Sequence, residues 1–554
     1  MKHFQWVLLV VGGLWMACSS ETKPTKEDNS HKTVFRYNQS SGISSLDPAF
    51  ARDQANMWGV IQIFNGLVQP DADLSVVPCI AKSWEMDAAG KVYVFRLRDD
   101  VYFHDHEVFE GGKGRKVVAS DFVYSFDRIV DDKLASPGLW VFSHIKRDES
   151  GKCIGFHAPD DTTFVIELEK AHPPFLGLLS MPYCSVVPRE VVEHYGEDFS
   201  RHPVGTGPFI FKMWSEGENL IYHKNPRYFE NDEHGRPLPY LDAISVSFIK
   251  DKQSAFMEFV KGGFDFVSGI DASYKDELLT LDGRLRDKFK KRFYMVTGPY
   301  LNTEYLGILM DTSLQVVKDS PLRYKKVRKA INMGFDREKL IKYLRNNIGT
   351  PADAGFVPKG MPAYDPEKIK GYTFDPEGAA ALLAEAGFPG GKGLGIIKLS
   401  TNPAYLDLCE AIQSKLTELG LEVELDVNPP ATHREMVARS QLTFFRGSWI
   451  ADYFDEENYL GLFYTKNFTP GGPNYTHFSN ARFDELYEQA QQEMDPVKRK
   501  ELFQQMDAII VEEAPVVVMY YDQVVRVVNK RVEGLGINPI NLLVLKKVRI
   551  NLDE

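Results

Sequence analysis

Two apolar periods alternate along the chain from Thr33 onward, and this alternation restricts the accessible folds more than any other feature. Across residues 92–98, Tyr93, Phe95 and Leu97 occupy every second position, the mark of a half-buried strand. After Ala119-Ser120-Asp121, Phe122, Phe126 and Ile129 recur at helical spacing, which predicts a helix with Ser120 as its N-cap. Further strands are expected at 34–37, at 163–168 behind the turn Ala158-Pro159-Asp160-Asp161, and at 516–521. A helix is expected over 56–68, carried by Trp58, Ile61 and Phe64. Asp375-Pro376 and Asp495-Pro496 each supply an N-cap and a first-turn proline, with Gly387 and Pro515 as the respective stops. Glycines and prolines in Pro203-Val204-Gly205-Thr206-Gly207-Pro208-Phe209 fix one bent backbone path. The mixture argues an α/β or mixed α+β fold with several sheets. At 554 residues the chain also exceeds what one core supports, so more than one lobe is expected.

The N-terminus carries an address. Lys2 and His3 precede an apolar run over 4–17 that is too short to span a bilayer and reads as a signal-peptide core, 1–17. It ends in Leu14-Trp15-Met16-Ala17-Cys18, which resembles a bacterial lipobox apart from Trp15, so Cys18 is the expected lipidation site. A plain secretory signal with an incidental cysteine is the alternative. Residues 18–32 are polar and lack aromatics, as a disordered tether would be. A net charge of −12 argues against a nucleic-acid partner. Cys79, Cys153, Cys184 and Cys409 form no CxxC pair, and export permits disulfides whose connectivity stays open.

Residues 444–458 (FFRGSWIADYFDEEN) set Arg446, Trp449 and Asp452 three residues apart each time. A peptide zwitterion asks for those three things: a cation for its carboxylate, an apolar wall, and an anion for its amine. Around this stretch lie Ser45-Leu46-Asp47-Pro48, Phe64-Asn65-Gly66-Leu67, Ile80-Ala81-Lys82-Ser83-Trp84-Glu85, Asp121-Phe122-Val123-Tyr124-Ser125, Gly205-Thr206-Gly207-Pro208-Phe209, Asn225-Pro226-Arg227-Tyr228 and Leu382-Leu383-Ala384-Glu385-Ala386-Gly387-Phe388. Each is commonplace alone. In this order, across nearly the whole mature chain, they resemble the extracytoplasmic solute-binding proteins of ABC importers, in particular the oligopeptide and dipeptide binders.

That resemblance implies a periplasmic binding protein-like fold of two lobes joined by a hinge, with an extra third subdomain. Lobe I would comprise 33–64, 189–297 and 521–554, subdomain II 65–188, and lobe III 298–520. It implies a monomeric receptor that takes short peptides and delivers them to a membrane permease and its ATPase, exported and lipid-anchored to the cell envelope. Asp452 matches the aspartate that holds the ligand amine, Trp449 a pocket wall, and Arg446 an arginine used against the ligand carboxylate. Arg446 equally suits a structural pairing with Asp452 or Asp455. Arg52, Asp53 and Gln54 fall where relatives pair their backbone with an extended peptide. Tyr453 and Trp140 would shape pockets.

The chain departs from that pattern in several places. Gly138 stands where the oligopeptide binder has a tyrosine, Asn332 where it has a lysine, Ala404 or Tyr405 where it has a histidine, and Ile450 where it has a cysteine. The same fold binding an oligosaccharide, a nickel chelate or haem is the alternative ligand reading. An exported hydrolase is the alternative of a different class. It is disfavoured because GxSxG, HExxH and GxxxxGK[ST] patterns are missing from the sequence. His104-Asp105-His106 places two histidines on one side of an extended segment, but without a third ligand no metal or other cofactor is expected there.

Overall fold

In the computed structural model, which describes residues 32–552, two long strands form the backbone of the architecture: Phe293–Ile308 and Val516–Asn529. They run antiparallel, Phe293 opposite Asn529 and Gly307 opposite Val516. Both pass unbroken through 297/298 and 520/521, where sequence reasoning drew its boundaries, so the crossing there is a paired ribbon. The register shifts between Pro299 and Thr303 and again between Glu304 and Tyr305. Such irregularities bend a strand and re-aim its side chains. Here they release Tyr300, Leu301 and Asn302 from the ladder with 516–529.

Three larger sheets divide the rest. Val34–Asn38 lies parallel to Ala243–Ser247, followed by antiparallel Asn219–Lys224 and Phe209–Ser215. A second sheet, wholly antiparallel, orders Ala81–Met86, Val92–Leu97, Thr163–Glu167 and Phe156–Asp160. These two share one apolar core running from Phe35 and Trp58 through Phe95, Phe126 and Phe164 to Tyr222. The third sheet has seven strands: Phe266–Ser268 flanks the ribbon on one side, Phe444–Ile450, Ile397–Thr401 and Val423–Val427 extend it on the other, and the short strand Thr350–Pro351 pairs with Val516–Asn529 off this path. Neighbours along its strands enter different cores. Tyr305, Phe445 and Val516 join the cluster of Phe356, Tyr459 and Phe463, whereas Leu306, Phe444 and Val517 join that of Ile331 and Leu399. Helices and loops therefore cover both faces, which is why these strands read as continuous apolar runs. The result is a mixed α/β fold of two lobes joined by the ribbon, with a subdomain packed on the first.

Local chemistry sets the element ends. The helix expected over 56–68 spans Gln54–Ile63 instead. It starts earlier because Asp53 accepts from the Asn56 N–H at 3.0 Å. It stops at Ile63, whose carbonyl accepts from the Gly207 N–H at 2.6 Å, and a Cβ at Gly207 would collide with this backbone. Helix Ala119–Val130 buries Phe122, Phe126 and Ile129 as expected. Its cap is not Ser120: Asp121 turns back to accept from the Val118 N–H at 2.9 Å. Asp375 and Asp495 do cap their helices, accepting from Gly378 at 2.8 Å and Val497 at 2.9 Å. Cys79, Cys153, Cys184 and Cys409 are unbridged. The signal peptide and Cys18 lie outside the described residues.

Candidate functional site

Strand Phe444–Ile450 ends where the Ala451 N–H donates to Leu301 in the ribbon irregularity, at 2.8 Å. Asp452 comes next, and Asn458, from the short helix Glu457–Leu460, folds back over it. The Asn458 Nδ2 donates to Asp452 Oδ2 at 3.4 Å, while its Oδ1 accepts from the Trp449 indole at 2.8 Å and from the Asp452 N–H at 3.3 Å. One buried amide thus orients both the carboxylate and the aromatic wall.

Four carboxylates crowd residues 452–457, and three have fixed partners. Asp455 is bound by Arg499, whose Nη2 lies 3.0 Å from Oδ1 and 3.4 Å from Glu457. Glu456 accepts from the Ala363 N–H at 2.6 Å. Among the described residues, Asp452 makes no ion pair. Its side chain is exposed to solvent yet walled by protein on most sides, and that crowding lifts its carboxyl above the usual carboxylate range, opposed by the Asn458 hydrogen bond. An anion held this way is poised for a cation arriving from the cleft, since pairing removes the cost of its confinement.

Arg446 diverges from this group. A spacing of three brings side chains together on a helix but sends them to opposite faces of a strand. Trp449 packs on the core containing Tyr459, whereas Arg446 lies 3.3 Å over the ring of Tyr405, which packs on the other core. Arg446 is 9% exposed and pairs with buried Glu304, not with Asp452 or Asp455. Burial works against its charge and Glu304 sustains it, so the guanidinium stays protonated. Near it, Asn302 Nδ2 donates to Glu304 at 3.1 Å and to Asp522 at 3.3 Å, and Arg345 contacts Asp522 at 3.1 Å.

The first lobe and the subdomain packed on it supply the facing wall. Trp140 meets Tyr453 across the cleft, ring centres 5.7 Å apart at 34°. Buried Tyr183 lies within electrostatic reach of Asp452, Arg52 and Asp53, and burial keeps its hydroxyl protonated as a donor. A Cβ at Gly138 would meet the Tyr183 ring at 2.6 Å, so Tyr183 fills the space a side chain at 138 would take. Arg52 and Asp53 are exposed, but the Asp53 carboxylate is engaged as the helix cap, and Gln54 bonds Tyr300 of the ribbon. Between the lobes remains a cavity of about 330 Å³ lined by Asp452, Tyr453 and Phe454 opposite Met57, Leu176 and Leu542. Leu74, at a turn with φ +66°, reaches the far lobe's core and is 5% exposed.

The remaining candidates have structural partners. Asn332 donates to the Arg328 and Val516 carbonyls at 3.2 and 3.1 Å, inside the core. His104 Nε2 bonds the Gly207 carbonyl at 2.9 Å, and His106 Nε2 lies 3.3 Å from the Tyr195 hydroxyl. Asp105 pairs with Lys113 and Arg227. Sequence reasoning missed Asn458, Tyr183 and Glu304. Asn458 stood within the motif stretch 444–458 as its one amide side chain, able to donate and accept at once. Tyr183 and Glu304 had no local signal, because distant segments bring them in.

The family model described as "Bacterial extracellular solute-binding proteins, family 5 Middle" matches residues 75–470, more than half of the chain. The probable deoxycholate-binding periplasmic protein YgiS of Escherichia coli is 27% identical over 93% of this chain and 93% of its own. The dipeptide-binding protein DppE of Bacillus subtilis is 26% identical over 96% of this chain and 95% of its own. The solved periplasmic binding protein DppA from Helicobacter pylori, in complex with peptide STSA, superposes with a TM-score of 0.75 at 24% identity, covering 94% and 98% of the two chains. That likeness carries the fold.

Proposed function

Because the chain belongs to the family 5 bacterial extracellular solute-binding proteins, we propose that it captures short peptides by their free amine at Asp452 and delivers them to an ABC permease and its ATPase. The observation that carries this reading is Asp452 itself: an exposed carboxylate without an ion-pair partner among the described residues, oriented by Asn458 beside the Trp449 wall. The same motif stretch gives its other carboxylates fixed partners. In the closed cleft Trp140 and Tyr453 bound the side-chain space; at Arg52-Asp53-Gln54 the Arg52 N–H already donates to Phe50 and the Asp53 carbonyl accepts from Met57, so a peptide would pair there only with the main-chain groups that remain. The protein acts as a monomer and uses no cofactor, and its chemistry is binding and release. Export through residues 1–17 and a lipid on Cys18 would keep it at the envelope surface where the permease lies.

The dipeptide-binding relative supports a peptide ligand, while the relative named for deoxycholate shows that the comparisons alone leave ligand class open. Calorimetry with a ladder of alanine peptides, dipeptide to pentapeptide, decides it. At least one free-amine length is expected to bind, and N-acetylation should weaken it about a hundredfold. Equal binding of acetylated and free forms would contradict the role of Asp452.

A further inference from the structure

The cavity beside Asp452 is apolar on almost every side. Met57, Leu74, Leu176, Ile540 and Leu542 face Phe454 across it. Its charged lining consists of Asp452 and Asp455, and Arg499 already neutralises Asp455. Among the described residues, no lysine, arginine or histidine lines it. Of its two serines, Ser180 donates to the Gly177 carbonyl at 2.6 Å and Ser75 is exposed to water. A volume of about 330 Å³ stands at the small end of ligand pockets, which run from roughly 300 to 1,000 Å³. It suits one large side chain better than a run of residues.

Position decides which side chain that is. The first Cα of a peptide carries both the free amine and the first side chain, so an amine held at Asp452 sets that side chain against the cavity Asp452 lines. In an extended peptide the second side chain points to the opposite face. An apolar first side chain would leave water for apolar walls, which favours binding. An acidic one would meet Asp452 with no cation beside it, and two like charges oppose each other. A basic one would compete with the amine for the same carboxylate.

We infer that this cavity receives the first side chain of the peptide and selects it for apolar bulk, admitting leucine, methionine and phenylalanine and rejecting aspartate and glutamate. This rests on the peptide reading above and narrows it to ligands with an apolar N-terminal residue. Gly177 offers a means of filling the same space. It lines the cavity from the helical turn Phe175–Leu178, and a Cβ there would meet nothing within 4 Å, so a side chain can start from it into open space.

The test uses alanine peptides of the best-binding length that carry glycine, leucine, phenylalanine or glutamate at the first or the second position, measured by calorimetry on the wild-type protein. Leucine or phenylalanine first is expected to bind roughly tenfold to a hundredfold more tightly than glycine first, the range that burying such a side chain supplies. Glutamate first should bind at least about tenfold more weakly than glycine first, and at the second position all four should agree within about threefold. Equal affinities at the first position, with a free amine still required, would overturn the inference and leave the amine site standing. A ranking that appears at the second position instead would overturn it too. Failure of every peptide to bind would remove the peptide reading and this inference together. Gly177→Phe is expected to weaken phenylalanine-first peptides about tenfold or more while leaving glycine-first peptides within about threefold. Should that variant fold poorly, Gly177→Leu makes the same test with less bulk. A folded variant that keeps the wild-type ranking would count against this cavity as the selecting element.

Discussion

The Trp449 indole donates to the same Asn458 side chain that donates to Asp452, at 2.8 Å and 3.4 Å respectively. Removing that amide leaves a partly buried indole N–H without its acceptor and an aspartate free to rotate. Asn458→Ala is expected to cost about 1–3 kcal/mol of stability and to weaken binding of a free-amine peptide roughly tenfold. Thermal unfolding and calorimetry measure both, and an unchanged affinity would detach Asn458 from the site.

Asp452 yields a pH dependence whose sign follows from its surroundings. Crowding lifts its carboxyl in the free protein, and a bound ammonium pulls it back down, so binding expels a proton where the free carboxyl is partly protonated. Affinity should therefore fall as the pH is lowered through that range. Asp452→Asn should abolish this slope and cost about 2–5 kcal/mol of binding at neutral pH. A titration slope that persists in the variant would assign the proton elsewhere.

One apolar contact joins the two sides of the cleft. Leu74 sits at a left-handed turn position and inserts into the core of the far lobe. Leu74→Ala gives up about 1–3 kcal/mol of the closed form. Ligand dissociation is expected to accelerate roughly tenfold or more, with little change in association, as stopped-flow fluorescence would record. Equal dissociation rates would mean that Leu74 packs equally well in the open form.

Asp507 predicts a stability trend. It is buried beneath the Phe356 and Val357 N–H groups, which donate at 2.6 and 3.3 Å, and burial raises its carboxyl to about 7. A carboxyl raised on folding contributes stability that is present below its unfolded value, about 3.9, and is lost as pH climbs to the folded value. Asp507→Asn keeps an acceptor for Phe356 and removes the charge. The melting temperature of the variant relative to wild type should thus be higher at pH 8 than at pH 5, corresponding to about 1–3 kcal/mol. A gap independent of pH would refute the assignment.

Much of the fold was legible because its signals are local. Period-two alternation fixed the strand Val92–Leu97, and Asp-Pro pairs fixed the starts of Pro376–Glu385 and Pro496–Glu513. The helix over 54–63 was misjudged at its end because Gly207, distant in sequence, closes it. The geometry of the candidate site was half legible. Asp452 and Trp449 stand together, but Arg446 does not join them, since its spacing suited a helix and the segment is a strand. Glu304, which neutralises Arg446, arrives through a neighbouring strand. Nothing near Arg446 in sequence announces that pairing.

The central claim is that the cleft holds peptides by their amine. Native mass spectrometry of protein produced without residues 1–18, followed by denaturation and sequencing of what is released, tests it most directly. The account predicts a set of short peptides of similar length, all with free N-termini, and their absence from Asp452→Asn protein. Release of a bile acid, a sugar, haem or a metal chelate in their place, with Asp452→Asn protein retaining it, would keep the fold and contradict the function.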